Sequence, residues 1–207
     1  MFTGLIQTTG KILFTELNSS GKSFQIESLL PLDLKIGDSV AINGICLTVE
    51  MIQDKTFQVQ AIHTTLEKTT IGSLSIGSML NLELALKLHD KMGGHLVQGH
   101  VNGIGQITHL IKRGENWEIE IQIPEDLKKF CLSEGSIAID GISLTIAKMT
   151  EAGIILSIIP HTWNVTNFAE LKLGNFVNIE IDMMAKYIAN FVDRYMQKLN
   201  NSNMTTN

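Results

Sequence analysis

Chemistry in this sequence would fall to two short rows of polar side chains set in apolar surroundings, Cys46 with Thr48 and Ser143 with Thr145. A thiol or hydroxyl can add to an electron-poor carbon when a base stands close to it. An imidazole titrates near neutrality and suits proton abstraction, which brings in His100. The two rows differ in one place, where cysteine in the first meets serine in the second. His100 is asymmetric as well, because the internal repeat described below aligns it with Leu5. Metal chemistry is not indicated. His63, His89, His95, His100, His109 and His161 lack metal-ligand spacing, and there is no Cys-x-x-Cys. A Walker loop, a Gly-x-Gly-x-x-Gly turn and a nucleophile elbow are also missing, which argues against nucleotide-driven and nicotinamide reactions.

The elements that hold these rows can be read directly. Ser39–Val49 (SVAINGICLTV) and Ser136–Ile146 (SIAIDGISLTI) lie 97 residues apart and agree at seven of eleven positions. Asn43-Gly44 and Asp140-Gly141 between apolar runs predict a tight hairpin, since both central residues need positive φ. Beyond each turn the side chains alternate. Ile45, Leu47 and Val49, and likewise Ile142, Leu144 and Ile146, point to a core, while Cys46 and Thr48, or Ser143 and Thr145, point away from it. A polar row of this kind suits a flat, heteroatom-rich ligand. The repeat continues at the same offset through Thr65/Thr162, Thr69/Thr166, Leu74/Leu171, Gly77/Gly174, Asn81/Asn178 and Glu83/Glu180. At an offset of 95 it pairs Gly4-Leu5-Ile6 with Gly99-His100-Val101 and Gly10 with Gly105.

The chain is therefore expected to be two tandem units, residues 1–95 and 96–183. Strands are predicted at Met1–Thr15, Lys22–Ser28, Asp38–Ile42, Ile45–Ile52, Thr56–Ile62 and Met79–Lys87, with a helical turn near Leu29–Leu34. In the second unit they fall at His100–Ile111, Asn116–Ile123, Ser136–Ile139, Ile142–Met149, Gly153–Pro160 and Phe176–Asp182, with a turn at Pro124 and Leu127–Phe130. Six short antiparallel strands per unit predict an all-β fold of closed or nearly closed barrels. The last segment has helical period, with Met184, Ile188, Phe191, Tyr195 and Leu199 on one stripe. This helix, residues 184–200, has no counterpart in the repeat and is expected to self-associate rather than pack on its own barrel. Residues 201–207 read as a disordered tail.

The 207 residues are 44% hydrophobic and 18% charged, an ordinary globular balance. A formal net charge of −5 argues against nucleic acid or an anionic membrane as the main partner. No run approaches the roughly 20 apolar residues of a membrane helix, and the start is not a secretory signal. Two cysteines make no disulfide framework, so a reduced, cytoplasmic setting is expected and Cys131 reads as packing.

Met1-Phe2-Thr3-Gly4, Asn43–Val49, Gly93–Val101 (GGHLVQGHV), Asp140–Thr145 and Asn178–Asp182 together closely resemble riboflavin synthase of the alpha-chain type, in order and spacing from Met1 to about Leu199. The resemblance implies two six-stranded Greek-key barrels, a helix that assembles a homotrimer, and an active site between subunits. It also implies a dismutation in which two molecules of 6,7-dimethyl-8-ribityllumazine exchange a four-carbon unit, giving riboflavin and 5-amino-6-(ribitylamino)uracil without cofactor or metal. An association with lumazine synthase belongs to the same set of expectations. A duplicated cradle fits a reaction whose donor and acceptor are one compound, held face to face.

By that resemblance, the contacts of the first barrel are Gly4, Leu5, Ile6, Cys46, Leu47, Thr48, Gln60, Ala61, Ile62, His63, Thr64 and Thr65. Those of the second are Gly99, His100, Val101, Ser143, Leu144, Thr145, Ile158, Ile159, Pro160, His161, Thr162 and Trp163. His100 with Ser143 and Thr145 is expected to handle the proton lost from the C7 methyl, and Cys46 and Thr48 to serve the partner pocket. The adding nucleophile is left open. Glu134 stands where the family usually has lysine, so that contact is dispensable, or is supplied by Lys128 or Lys129, or alters affinity. Thr64 stands where glutamate is usual. Two other functions are a lumazine-binding protein without turnover and a β-barrel interaction module with no small ligand. The first tends to lose the terminal helix and one barrel's residues, and the second leaves the polar rows unexplained.

Overall fold

The computed structural model describes residues 1–204, with side chains through Lys198. Strands β1 (Thr8–Asn18), β2 (Gly21–Ser28), β3 (Ser39–Ile42), β4 (Ile45–Gln53), β5 (Thr56–Ile62) and β6 (Met79–Leu84) close into a barrel in the order β1-β2-β5-β4-β3-β6. Strands β7 (Gly103–Arg113), β8 (Asn116–Gln122), β9 (Ser136–Ile139), β10 (Ile142–Met149), β11 (Gly153–Ile158) and β12 (Phe176–Ile181) close a second ring in the same cyclic order. Every pairing is antiparallel, and the jump from β2 to β5 gives the Greek-key connection. Closure leaves no sheet edge. Alternation is plain in β5, where Phe57, Val59 and Ala61 are buried between half-exposed neighbours. Phe24, Ile26, Leu80 and Leu82 fill one barrel, and Ile119, Ile121, Ile154 and Leu156 the other.

Several expectations need correction. Met1–Gln7 and His100–Asn102 lie outside their own barrels' strands, which begin at Thr8 and Gly103. There is no helix at Leu29–Leu34. Instead α1 (His63–Lys68) and α3 (Pro160–Val165) follow the fifth strand of each copy, each leading into a 3₁₀ turn, Thr70–Ser73 and Asn167–Glu170. The paired threonines account for this. Thr69 and Thr166 each donate a hydroxyl to a carbonyl four residues back (2.7 Å in both) and accept from the N–H two residues on. α2 (Glu125–Lys128) replaces a simple turn. α4 spans Met183–Met204, so its backbone reaches into the expected tail, the rest of which, 205–207, lies outside the described residues. No described helix is long and apolar enough to cross a membrane.

The two hairpin turns meet back to back on a local two-fold. Asn43 and Asp140 have φ of 47° each, followed by Gly44 and Gly141 at 76° and 79°. A Cβ on either glycine would lie 2.7 Å from the other's backbone nitrogen, so both the turn and the contact require glycine. A buried polar network surrounds them. Asn81 Nδ2 donates to Asp140 O (3.0 Å) and Asn178 Nδ2 to Asn43 O (2.9 Å). The Asn81 and Asn178 N–H groups donate to Asn43 Oδ1 (2.7 Å) and Asp140 Oδ1 (2.8 Å). Each barrel thus satisfies its neighbour's turn, which is why both asparagines recur in the repeat.

Candidate functional site

The seven residues ahead of β1 and the stretch ahead of β7 exchange places. Phe2 pairs with Val97 through two backbone hydrogen bonds of 2.7 and 3.1 Å. From that crossing, Gly4 O accepts from Ser143 N–H at 2.8 Å, and Gly99 O accepts from Cys46 N–H at 2.9 Å. Ile6 packs on the second core and Val101 on the first. The carboxylates of the repeated glutamates fix the crossing. Glu83 accepts from Thr3 N (2.6 Å), Thr3 Oγ1 (2.7 Å) and Gly4 N (3.0 Å); Glu180 accepts from the N–H groups of Gln98 (2.6 Å), Gly99 (3.0 Å) and His100 (3.0 Å). Burial raises the pKa of both, and these donated bonds pull it back down. Gly99–Val101 therefore borders the first barrel's polar row and Gly4–Ile6 the second's, the reverse of the assignment that the resemblance implied.

The first pocket, about 190 Å³, is lined by Ile45, Cys46, Thr64, Thr65, Lys68, Thr69, Gly99, His100 and Val101. It brings Cys46 and His100 together, on β4 and on the crossing segment. Thr48 follows Cys46 outward on the same face and is exposed. Leu47 and Ala61 face the core. Gln60 and His63 turn toward the β1–β2 loop, Gln60 Nε2 donating to Asn18 Oδ1 (3.1 Å) and the His63 ring lying 3.3 Å from Ser19 O. Ile62 is exposed beside them.

The second row is built differently. His95 Nδ1 lies 2.7 Å from Ser143 Oγ, while its Nε2 is buried without a partner among the described residues. Burial lowers the pKa of this histidine, against an opposing pull from Asp182. A hydroxyl held on a neutral imidazole is the arrangement that sharpens a nucleophile or relays a proton. Gly4 and Gly94 stand against the same serine: a Cβ on them would meet Ser143 Cβ at 2.6 and 2.9 Å. Thr145 is exposed one step along and Leu144 is half-buried. Ile158 and Trp163 belong to the core, where Trp163 stacks on Trp117 with centroids 4.0 Å apart. Ile159 and His161 are exposed, Pro160 is half-buried, and the Thr162 carbonyl is taken by Thr166. Within the chain, then, His100 sits with Cys46, and the histidine on Ser143 is His95. Comparing the copies could not flag His95, because its counterpart at the same offset would precede Met1.

Glu134 is exposed at a φ of 69° and does not line the pocket around Cys46 and His100. Neither lysine proposed as its stand-in is free: Lys128 bonds Glu125 at 2.6 Å, and Lys129 pairs with Asp193 at 3.7 Å. Cys131 is buried, its thiol pushed up to about 11 by burial, which agrees with packing. A larger cleft of about 480 Å³ lies between the barrels near Thr70, Asn167, Leu74 and Leu171, and contains none of the polar-row residues. Among the described residues no cluster could hold a metal ion.

Comparison with known proteins agrees with the duplication. A family model described as the lumazine binding domain matches residues 3–85 and again 98–182. The chain is 38% identical to the riboflavin synthase of Bacillus subtilis (strain 168) over 94% of this chain and 91% of that protein. It is 36% identical to the riboflavin synthase of Bacillus amyloliquefaciens over 99% and 96%. Among solved structures it is similar to LumP complexed with riboflavin, with a TM-score of 0.81 and 26% identity over 87% of this chain and 99% of that one. It is also similar to LumP complexed with 6,7-dimethyl-8-(1'-D-ribityl) lumazine, with a TM-score of 0.78.

Proposed function

The chain belongs to the lumazine-binding domain family, with riboflavin synthases among its relatives, and on that premise we propose that it catalyses the dismutation of two 6,7-dimethyl-8-ribityllumazine molecules. The products are riboflavin and 5-amino-6-(ribitylamino)uracil. The observation that carries this reading is that both copies keep a polar row bordered by the crossing segment of the other copy, Cys46 by Gly99 and His100 and Ser143 by Gly4, with His95 of the connecting stretch also on Ser143. One molecule of a like pair can lie in each, and holding both replaces a bimolecular encounter with a positioned one, a gain that can reach several kcal/mol.

In this mechanism one lumazine loses a proton from its C7 methyl, and the other becomes electrophilic at C7 after a nucleophile adds there. We assign proton abstraction to His100 and addition to Ser143, sharpened by His95, with Thr48, Cys46 and Thr145 lining the rings. The site is completed between chains. Met184, Tyr187, Ile188, Phe191, Val192, Tyr195 and Met196 of α4 are all exposed, an apolar surface that three copies can cover together. In that trimer the first barrel of one subunit faces the second barrel of the next. A cytoplasmic location fits two cysteines that form no disulfide.

A binding protein without turnover is the second reading, favoured by the likeness to LumP. Mixing purified protein with dimethylribityllumazine separates the two. Riboflavin fluorescence growing in without any added cofactor supports the synthase. Lumazine that is bound but unchanged supports the binding protein, and no spectral response at all defeats both.

A further inference from the structure

The two polar rows sit at equivalent places in the repeat, so a charge beside one that is missing beside the other decides where an anion is better held. Lys68, the last residue of α1, lines the cavity around Cys46 and His100. It also lines the adjoining groove of about 420 Å³ formed with Glu67 and Val101–Ile104. Its side chain is exposed, and it takes part in none of the ion pairs found among the described residues. The matching position of the second copy is Val165, the last residue of α3. The two helices share their length, six residues each, and a following threonine that bonds back into the helix. The copies therefore differ at this helix end by Glu67-Lys68 against Asn164-Val165, and of that charged pair only Lys68 lines the pocket around Cys46 and His100.

We propose that Lys68 makes the first pocket the one that holds the deprotonated lumazine, an assignment that rests on the synthase reading above. In the step concerned, a C–H bond of the C7 methyl breaks and its proton passes to the His100 imidazole. The electron pair stays on the ligand and delocalises over the pteridine ring, placing one negative charge largely on the ring's carbonyl oxygens. An opposite charge within about 4–6 Å lowers an acid's pKa by about 1–3 units, and exposure of the ammonium puts the effect at the lower end. The other titratable groups lining these cavities are His100, Cys46 and Glu67. Glu67 borders only the adjoining groove and works against the effect from farther off. The second copy has valine at the matching position of α3, and its Ser143, held on a neutral His95, suits the molecule that is attacked. One duplicated cradle thus gives two unlike halves of a reaction.

The test uses the full chain with Lys68→Met and Lys68→Arg, and dimethylribityllumazine as the probe. Rapid mixing reads the absorbance of bound lumazine before turnover, from neutral to alkaline pH, and NMR in D2O reads hydrogen exchange at its C7 methyl. Lys68→Met should move the appearance of the bound anion up by about one pH unit and slow the exchange about tenfold, while Lys68→Arg stays close to the parent. If the parent protein and Lys68→Met bind lumazine and ionise it at the same pH, the assignment is overturned and the synthase reading stands. If the parent protein leaves the lumazine spectrum untouched, both fall.

Discussion

Asp140 is the one ionisable member of the network between the barrels, and exchanging it with its repeat partner gives a prediction with a defined size. Its carboxylate accepts from Asn178 N–H (2.8 Å) through Oδ1 and from Asn167 Nδ2 (2.8 Å) through Oδ2. The direction of the second bond is fixed, because Asn167 Oδ1 already accepts from Asn81 Nδ2 (2.8 Å) and Asn167 N–H donates to Asn81 Oδ1 (2.7 Å). Position 140 must therefore accept with both atoms. In the first copy the equivalents are Asn43 and Thr70, and Thr70 offers no amide to Asn43. Asp140→Asn alone sets two NH2 groups against each other, costing about 1–3 kcal/mol. It also removes the penalty of a buried charge. Burial pushes Asp140 up to about 6 from an ordinary 3.8, and at about 1.4 kcal/mol per unit that is about 3 kcal/mol once the group is ionised.

The single variant should therefore lie within about 2 kcal/mol of the parent at neutral pH, the two effects opposing each other. Asn167→Thr alone strands a buried carboxylate oxygen and destabilises by about 1.5–3 kcal/mol. The double variant recreates the Asn43/Thr70 pairing and should be more stable than the sum of the two changes by about 2 kcal/mol. The pH dependence has a definite sign. A carboxyl whose folded pKa is raised holds its proton better in the folded chain, so parental stability is greatest below about pH 4 and falls as pH rises through about 6. That slope should be missing in both variants lacking Asp140. Urea melts at fixed protein concentration, run at acid and neutral pH, measure all of this. Additivity within about 0.5 kcal/mol, or an unchanged slope in Asp140→Asn, would refute the reasoning.

Other outcomes follow from the same geometry. His95→Ala should slow riboflavin formation by more than tenfold, or about 1.4 kcal/mol, because Ser143 loses its imidazole; near-parental rates would remove the pair from the mechanism. Since burial lowers the pKa of His95, the acid limb of that activity should fall below pH 6.5, and a limb above it would show that His95 is not the titrating group. Removing residues 184–207 should convert a trimer to smaller species in sedimentation, and an unchanged assembly would show that α4 packs elsewhere. Gly44→Ala should cost at least about 1–3 kcal/mol through its positive φ alone, and a thermal melt matching the parent would contradict the back-to-back contact of the turns.

The barrels were legible because two local signals repeat: alternation in strands such as Ile45–Val49, and Asn-Gly or Asp-Gly turns that leave the chain one tight geometry. The polar rows could be read for the same reason. Which crossing segment borders which row could not. Gly4-Leu5-Ile6 and Gly99-His100-Val101 look the same whether they return to their own barrel or cross to the other, and the exchange is set by Glu83 and Glu180, some 80 residues away. The short helices α1 and α3 were missed because six residues are too few to show a period, although the paired Thr69 and Thr166 that shape their ends stood in the sequence. Leu47, Ala61 and Ile158 come into the site with the contact runs the resemblance implies, yet strand alternation already directs them inward, and Trp163 is taken into the core by its stack on Trp117.

The central claim is that two like molecules react with each other in a duplicated cradle. The most direct measurement is product stoichiometry, with dimethylribityllumazine as sole substrate and no other carbon source or cofactor. Two lumazines consumed for each riboflavin and each 5-amino-6-(ribitylamino)uracil released is the predicted result; lumazine that stays bound and unconsumed, or riboflavin that forms only with an added four-carbon donor, would contradict it.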